Sequence, residues 1–377
     1  MTNLAYLRDY NEALVVAVAR TKPDFDRASI AEGTGLTPQA VSKVLARLTE
    51  QGLVTVAGVR RLGVGKPASI YRLVRTSRFA IGAHVARHTL RLVLTDLVGD
   101  VVDSSLSRLP TDFTPDDLLT AMRAGIAALT KTHPLTEGRL VGVGIGMVGP
   151  LDHAHGIVRD AHRLRHWHDV PLRDLASEVL EIPVFLDKDV TAGVFAEGWR
   201  QGFRDAVLVM VESGIGAGLW LSGSPHRGAH TNAGEFGHTV VQLNGPACVC
   251  GRRGCLEIVH DMAADAGDVE LAARVLATGI VNLLQTVDVD HVVLAGADLI
   301  RRSDVYVAAV RTAVLREVPR ADWLTVEVTV SALGDDVIAA GAAMQVLAER
   351  FGLPVPERTR PSRMVAGPGV EPGTPPL

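Results

Sequence analysis

The chain has 377 residues, 47% hydrophobic and 21% charged, enough for two or three domains with cores of their own. No run of about eighteen apolar residues occurs and the start carries no signal-peptide core, so a cytoplasmic protein is expected rather than a membrane or exported one. The formal net charge of −4 hides an asymmetry, since residues 1–75 hold 11 Lys and Arg against 6 Asp and Glu and the remainder is acidic. A basic head on an acidic body predicts an anionic partner for the head alone.

In the head, Leu7, Leu14, Val15 and Val18 recur at helical spacing and predict a first helix. Asp26 can cap a short second helix that stops near Gly33-Thr34-Gly35. Thr37 then caps a third, with Pro38 at its first position, where the missing N–H costs nothing. Val41, Val44, Leu45 and Leu48 make the buried stripe of that helix, which leaves Gln39, Ser42, Lys43 and Arg47 outward. Two strands, 53–57 and 69–73, flank a basic loop with Arg60, Arg61 and Lys66. This order is the plan of a winged helix-turn-helix, whose third helix enters the DNA major groove. Candidate DNA contacts are therefore Thr37, Gln39, Ser42, Lys43, Arg47, Arg60, Arg61 and Lys66. A small helical protein-interaction domain with a solvated basic face is the other reading of the same head.

Residues 74–78 read as a linker. Strand-length apolar stretches follow at 79–85, 90–97 and 101–107, then an amphipathic helix from Pro115 to about Lys131 and a glycine-rich strand at 141–148. Further strands are expected at 183–186, 207–211, 218–221 and 292–295, with a long helix over 269–287 before the last. Strand groups alternating with helices predict an α/β architecture. Five histidines crowd into residues 153–168, but without a pattern that argues for a second metal site. Residues 352–377 are rich in Pro and Gly and cannot bury a core, so a disordered tail is expected.

All three cysteines, Cys248, Cys250 and Cys255, fall within eight residues, and His238 precedes the first by ten. One imidazole and three thiols suit a closed tetrahedral site for structural Zn²⁺, which favours nitrogen and thiolate sulfur. Two carboxylates, Glu235 and Glu257, flank the cluster and are free to accept hydrogen bonds from a polyhydroxylated ligand. Asp187 and Asp189 lie just after a strand, where they could cap the helix that follows.

The run Gly234-Glu235-Phe236-Gly237-His238 with Cys-x-Cys-Gly-x-x-Gly-Cys-Leu-Glu from Cys248 to Glu257 resembles the signature of the ROK family of repressors and sugar kinases. That resemblance implies a two-lobed α/β domain, actin-like or ribonuclease H-like, over 79–351, preceded by a winged helix-turn-helix over 1–73. It also implies that Lys188, Asp189, Glu235, His238 and Glu257 bind sugar, Asp189 matching the general base of the kinases. The kinases carry Asp-x-Gly-Gly-Thr-Lys after the first strand, whereas this chain has His84-Val85-Ala86-Arg87-His88-Thr89, which closes the backbone approach to a phosphate. Arg87 and the histidines there read chiefly as surface or fold residues. A second glycine loop, Ser213-Gly214-Ile215-Gly216-Ala217-Gly218, resembles the phosphate loop of the second lobe. The expectation is a sugar-responsive transcription factor, most simply a repressor and not an enzyme. It would bind operator DNA as a homodimer or homotetramer and take a monosaccharide or sugar phosphate as effector. An ATP-dependent sugar kinase with an added DNA-binding head is the alternative.

Overall fold

The computed structural model describes residues 4–60, 67–161, 164–318 and 325–351. The head holds α1 (Leu4–Ala19), α2 (Arg27–Thr34) and α3 (Pro38–Glu50), then the antiparallel strands β1 (Val54–Arg60) and β2 (Ala68–Leu73). Asp26 caps α2 by accepting the Ser29 N–H at 2.9 Å, and Thr37 caps α3 by accepting the Ala40 N–H at 3.3 Å. Val41, Val44, Leu45 and Leu48 are buried in α3 as the spacing predicts. The stripe on α1 is wider than expected: Ala13, Val15, Val16, Ala17 and Ala19 are all buried, whereas Leu14 is only partly so. The reason is that α1 packs on two sides, against its own head and against a helix of the body.

The stretch expected as a linker is a short 3₁₀ turn, Arg75–Ser77, tied at both ends. Val74 N–H donates to Leu53 O at 2.8 Å, and Leu97 N–H donates to Arg75 O at 3.0 Å.

The first lobe carries β3 (Phe79–Val85), β4 (Thr89–Asp96), β5 (Val101–Arg108), α4 (Pro115–Thr132) and β6 (Leu140–Met147). A small sheet of β7 (Leu151–Asp152), β8 (Ile157–Asp160) and β9 (His168–Val170) precedes α5 (Leu172–Leu180), β10 (Val184–Lys188) and α6 (Asp189–Gln201). The second lobe holds β11 (Ala206–Val211), β12 (Ile215–Leu221), β13 (Ser224–Pro225), α7 (Leu256–Asp265), α8 (Val269–Val287) and β14 (His291–Ala295). It ends with α9 (Ala297–Arg301), α10 (Ser303–Glu317), β15 (Glu327–Val330) and α11 (Val337–Phe351). The main sheets run β10-β6-β3-β4-β5 and β13-β12-β11-β14-β15. Each starts with antiparallel hairpins and adds two parallel strands on the other side of its first strand, so one topology is used twice.

The last helix of each lobe crosses to the other's business. Helix α6 leaves the first lobe and packs on β11 and β12 of the second, while α11 returns from the second lobe to cover β3 and β6. The two helices also pack on each other, backbone to backbone. A Cβ at Gly341 would stand 1.8 Å from the carbonyl oxygen of Ala192, and one at Gly218 would stand 2.0 Å from that of Val190. Only glycine permits either approach.

The head is seated on the far end of α6. Arg20 lies with its guanidinium 3.9 Å over the Trp199 ring, and its Nη1 donates to Trp199 O at 3.0 Å. Burial lowers the Arg20 pKa to about 10, so it stays charged at neutral pH. Arg75 donates to Asp96 at 2.8 Å and also pairs with Asp100, which Arg200 of α6 holds at 3.0 Å. Head and body share one continuous apolar cluster.

Gly341→Ala should drive a methyl into the Ala192 carbonyl and lower stability by about 1–3 kcal/mol, read as a drop in melting temperature. An unchanged melting point would mean the two helices do not rely on this approach.

Candidate functional site

A cavity of about 240 Å³ opens between the lobes. The first lobe lines it with the β3–β4 turn, from His84 to Arg87, with Val148 and Gly149 after β6, and with Lys188 and Asp189 where β10 becomes α6. The second lobe adds the β11–β12 hairpin from Glu212 to Gly216, then Glu235, His238, Cys250 and Glu257. All five residues expected to serve as sugar ligands, Lys188, Asp189, Glu235, His238 and Glu257, therefore face one space.

Their local partners differ from one another. Lys188 is 3% exposed, and its ammonium donates to Glu235 Oε1 at 2.7 Å and to Ala233 O at 3.0 Å. Those two bonds pin the loop before His238 to the start of α6. Glu257 accepts the Ile215 N–H at 2.9 Å, which fixes the hairpin of the second glycine loop. Asp189 is the first residue of α6 and accepts the N–H of its neighbour Val190 at 2.7 Å. Neither Asp187 nor Asp189 makes the expected side-chain cap of α6, whose N-cap position is Lys188.

Asp187 has another task. It is 2% exposed and accepts from Arg227 at 2.8 and 3.0 Å, from Gln345 at 2.7 Å and from the Lys188 N–H at 2.9 Å. One carboxylate thus joins β10, a loop of the second lobe and α11. Arg227 and Gln345 carry no sequence motif, and only the fold brings them to Asp187.

His84 and Arg87 line the cavity, His84 buried as a fold residue would be and Arg87 half-buried, whereas His88 lies exposed on the surface. His84 is 4% exposed, with Nε2 3.6 Å from Glu212 Oε2 across the cleft. Glu212 was not singled out by sequence; its signal was its place one residue before the glycine loop. That loop is mostly strand, because β12 begins at Ile215, three residues earlier than expected. Ala86-Arg87-His88 forms a tight turn closed by Ala86 N–H donating to Thr89 O at 3.0 Å.

Beside the cavity, His238, Cys248, Cys250 and Cys255 bring their ligand atoms within 4.8 Å of one another. Cys248 Sγ is 3.6 Å from His238 Nδ1, and Cys250 Sγ is 3.6 Å from Cys255 Sγ. A tetrahedral ion with thiolates at about 2.3 Å sets its ligands roughly 3.7 Å apart, so the donor set fits a metal, whereas a disulfide would need a far shorter contact. Burial acts to raise the Cys250 pKa, but hydrogen bonds from Arg252 and the other thiols outweigh it and bring it to about 7. Burial and the neighbouring thiols push Cys255 up to about 12. Thiols this close share their protons as a set, and a bound cation would take over that role. This is the single cluster of its kind among the described residues; the histidines of 153–168 that are described do not form one. His153 is instead bonded to Leu186 O at 2.7 Å and His155 to Asp152 at 2.9 Å.

On the head, Thr37, Gln39 and Lys43 are exposed and Ser42 half-buried on one side of α3. Arg47 and Arg60 are spent inside the head: Arg47 pairs with Glu12 of α1 at 2.5 Å and Arg60 with Asp26 at 2.6 Å. Arg61, Lys66 and the segment 352–377 lie outside the described residues.

A head of three helices and a wing before a duplicated α/β body with a cleft cavity defines a winged helix-turn-helix joined to an actin-like, ribonuclease H-like domain. Residues 80–267 match the ROK family, and the chain carries a ROK family domain. It is 27% identical over 260 residues to a xylose repressor of Caldicellulosiruptor bescii, a match covering 68% of this chain and 65% of the repressor. Its fold is similar to that of a ROK family transcriptional regulator homologous to the E. coli Mlc protein, with a TM-score of 0.74 at 18% identity over 92% of this chain and 98% of the other. It is also similar to a ROK family glucokinase of Streptomyces griseus, solved with glucose and AMPPNP, with a TM-score of 0.61 at 21% identity over 71% of this chain and 98% of the kinase. No helix among the described residues is long and apolar enough to cross a membrane.

Asp187→Ala would leave Arg227 and Gln345 without their acceptor. The expected loss is about 3 kcal/mol, seen as a lower denaturant midpoint. A midpoint equal to wild type would remove Asp187 from the set of residues that join the lobes.

Proposed function

We propose that this protein is a cytoplasmic, sugar-responsive transcriptional repressor, with a head of residues 1–73, a connector of 74–78, a sensing domain of 79–351 and a tail of 352–377. The observation that carries the reading is that one cavity gathers Lys188, Asp189, Glu235, His238 and Glu257 at the start of α6, whose other end seats the head. A sugar between the lobes would offer hydroxyls to Asp189, Glu235 and Glu257, and each carboxylate can accept them. His238 would hold Zn²⁺ through Nδ1 and donate toward the sugar through its other nitrogen, so the metal would stiffen the loop that recognises the ligand. The xylose repressor supports the sugar class by its name.

Ligand that favours one lobe arrangement would shift α6, and with it the Arg20 and Arg75 seat of the head, by its differential affinity for two states. A dimer or tetramer would place two heads on operator half-sites about one helical turn apart, ~34–36 Å or a multiple. Gln39, Ser42 and Lys43 would enter the major groove, with Thr37 at the helix start near the phosphates. Arg61 and Lys66 would reach the backbone or minor groove. Arg47 and Arg60 would contribute less, since each already has an acidic partner.

A kinase reading draws on the glucokinase fold and on Asp189 in the cavity. Against it stands the β3–β4 turn, where Ala86 and Arg87 replace the glycines of a phosphate cradle and His84 replaces an acid. Phosphoryl transfer needs that cradle as much as a base.

Purified without chelator, the protein should hold about one zinc per chain by mass spectrometry, and Cys250→Ser should lose both the metal and the sugar response. Metal-free wild-type protein that still answers to sugar would sink the zinc role. Duplexes selected from a random pool by the full chain should bind with a steep salt dependence, and Lys43→Ala should lower the slope of log K against log salt by about one. Sugar should change that binding, and Mg-ATP with sugar should yield no phosphorylated product. Product formed by wild type and lost in Asp189→Asn would replace the repressor with a kinase.

A further inference from the structure

We infer that the cavity takes an uncharged monosaccharide and rejects its phosphate; the inference rests on the sugar-site reading above. A phosphomonoester needs backbone N–H groups, a helix N-terminus or a cation to hold its charge. At three places in this cavity such a group is already engaged by a carboxylate of the chain itself.

The hairpin of the second glycine loop is the first such place. Its Ile215 N–H is bonded to Glu257 Oε2 at 2.9 Å. That oxygen lies against both Gly214 and Gly237, so close that a Cβ at either would come within 2.8 and 3.0 Å of it. The Glu257 carboxylate thus sits in the hollow where the glycines would admit a phosphate. The second place is the start of α6. Its first residue is Asp189, whose carboxylate already accepts the Val190 N–H at 2.7 Å. The third is the buried cation Lys188, whose ammonium is committed to Glu235 at 2.7 Å and to a backbone carbonyl at 3.0 Å.

The charge balance of the lining agrees. Four carboxylates, Asp189, Glu212, Glu235 and Glu257, face two cations, Arg87 and Lys188. Glu212 has a buried neighbour in His84 at 3.6 Å, which does not offset four acids. Carboxylates accept hydrogen bonds and donate none, so they match sugar hydroxyls, which can donate. A phosphate dianion brought to the same lining would meet like charge in a partly desolvated cleft, and each close like-charge pair there weakens binding by roughly tenfold or more.

The test uses the full zinc-loaded chain in calorimetric titrations and thermal shifts at matched ionic strength. The probes are a panel of free aldopentoses and aldohexoses, D-xylose and D-glucose among them, with D-xylose 5-phosphate and D-glucose 6-phosphate. At least one free sugar should bind, with its phosphate weaker by about tenfold or more. Glu257→Gln keeps an acceptor for the Ile215 N–H but removes the charge, and Glu212→Gln removes a charge at the rim without touching that bond. At least one of the two, checked for wild-type melting behaviour, should narrow the gap. A phosphate that binds as tightly as its free sugar overturns the inference and leaves the sugar site standing. A gap unchanged in both folded variants also overturns it, because charge would not then be the discriminator. Failure of every free and phosphorylated sugar to bind removes the sugar-site reading itself.

Discussion

Everything in the body depends on the crossing of α6 and α11. Each helix closes the sheet of the lobe that did not precede it, and their backbones meet where Gly341 faces the Ala192 carbonyl. Close-packed helices of this kind move as bodies and not as elastic cord, since interiors pack at crystal-like density. The lobes can therefore change their relation only by a shift at this crossing. The cavity opens at one end of α6 and the head sits at the other, so both lie on the element whose position the crossing sets. A helix of 13 residues spans about 20 Å, and it runs unbroken from Asp189 to Gln201.

The head seat has the chemistry of a defined docking and not of a tether. Arg20 stacks on Trp199 with its charge retained, and the pairs of Arg75, Asp96, Asp100 and Arg200 surround it. Burial raises the Asp96 pKa, and the Arg75 pair and the Val98 N–H oppose that rise. Of these charges Arg20 and Asp96 are the buried ones, and stranding either without its partner is costly, which favours discrete placements over a continuum.

The sequence made some of this plain and hid the rest for physical reasons. Helix α3 was legible because it is amphipathic, with Thr37 and Pro38 marking its start. The metal cluster was legible because its four donors lie within eighteen residues of chain, His238 to Cys255. Helix α11 left no periodic mark: its Ala- and Gly-rich face is buried all round, and a helix without a polar side has no amphipathic signal. The start of β12 was obscured because the glycines that let α6 approach it also weaken any strand signal. Arg47 was legible as an exposed base on α3, but its pairing with Glu12 depends on how α1 crosses that helix. The union of Asp187, Arg227 and Gln345 joins residues up to 158 positions apart, and no local pattern can announce it.

The buried charges around the start of α6 then acquire a common logic. Asp187 and Lys188 are adjacent, almost wholly buried and opposite in sign, yet they do not pair with each other; each reaches into the second lobe, to Arg227 and to Glu235. Further along α6, Glu197 is 3% exposed and accepts the Ser331 hydroxyl at 2.6 Å, its pKa raised by burial, so a third polar bond joins the helix to the second lobe. Apolar residues in these places would pack as well or better and would tolerate sliding, because dispersion contacts are non-directional. Hydrogen-bonded charges tolerate little sliding, since a small displacement strands a desolvated group. Lys188 and Glu235, which line the cavity, thus also help fix the register between the lobes, so a ligand that competes for either acts directly on lobe placement.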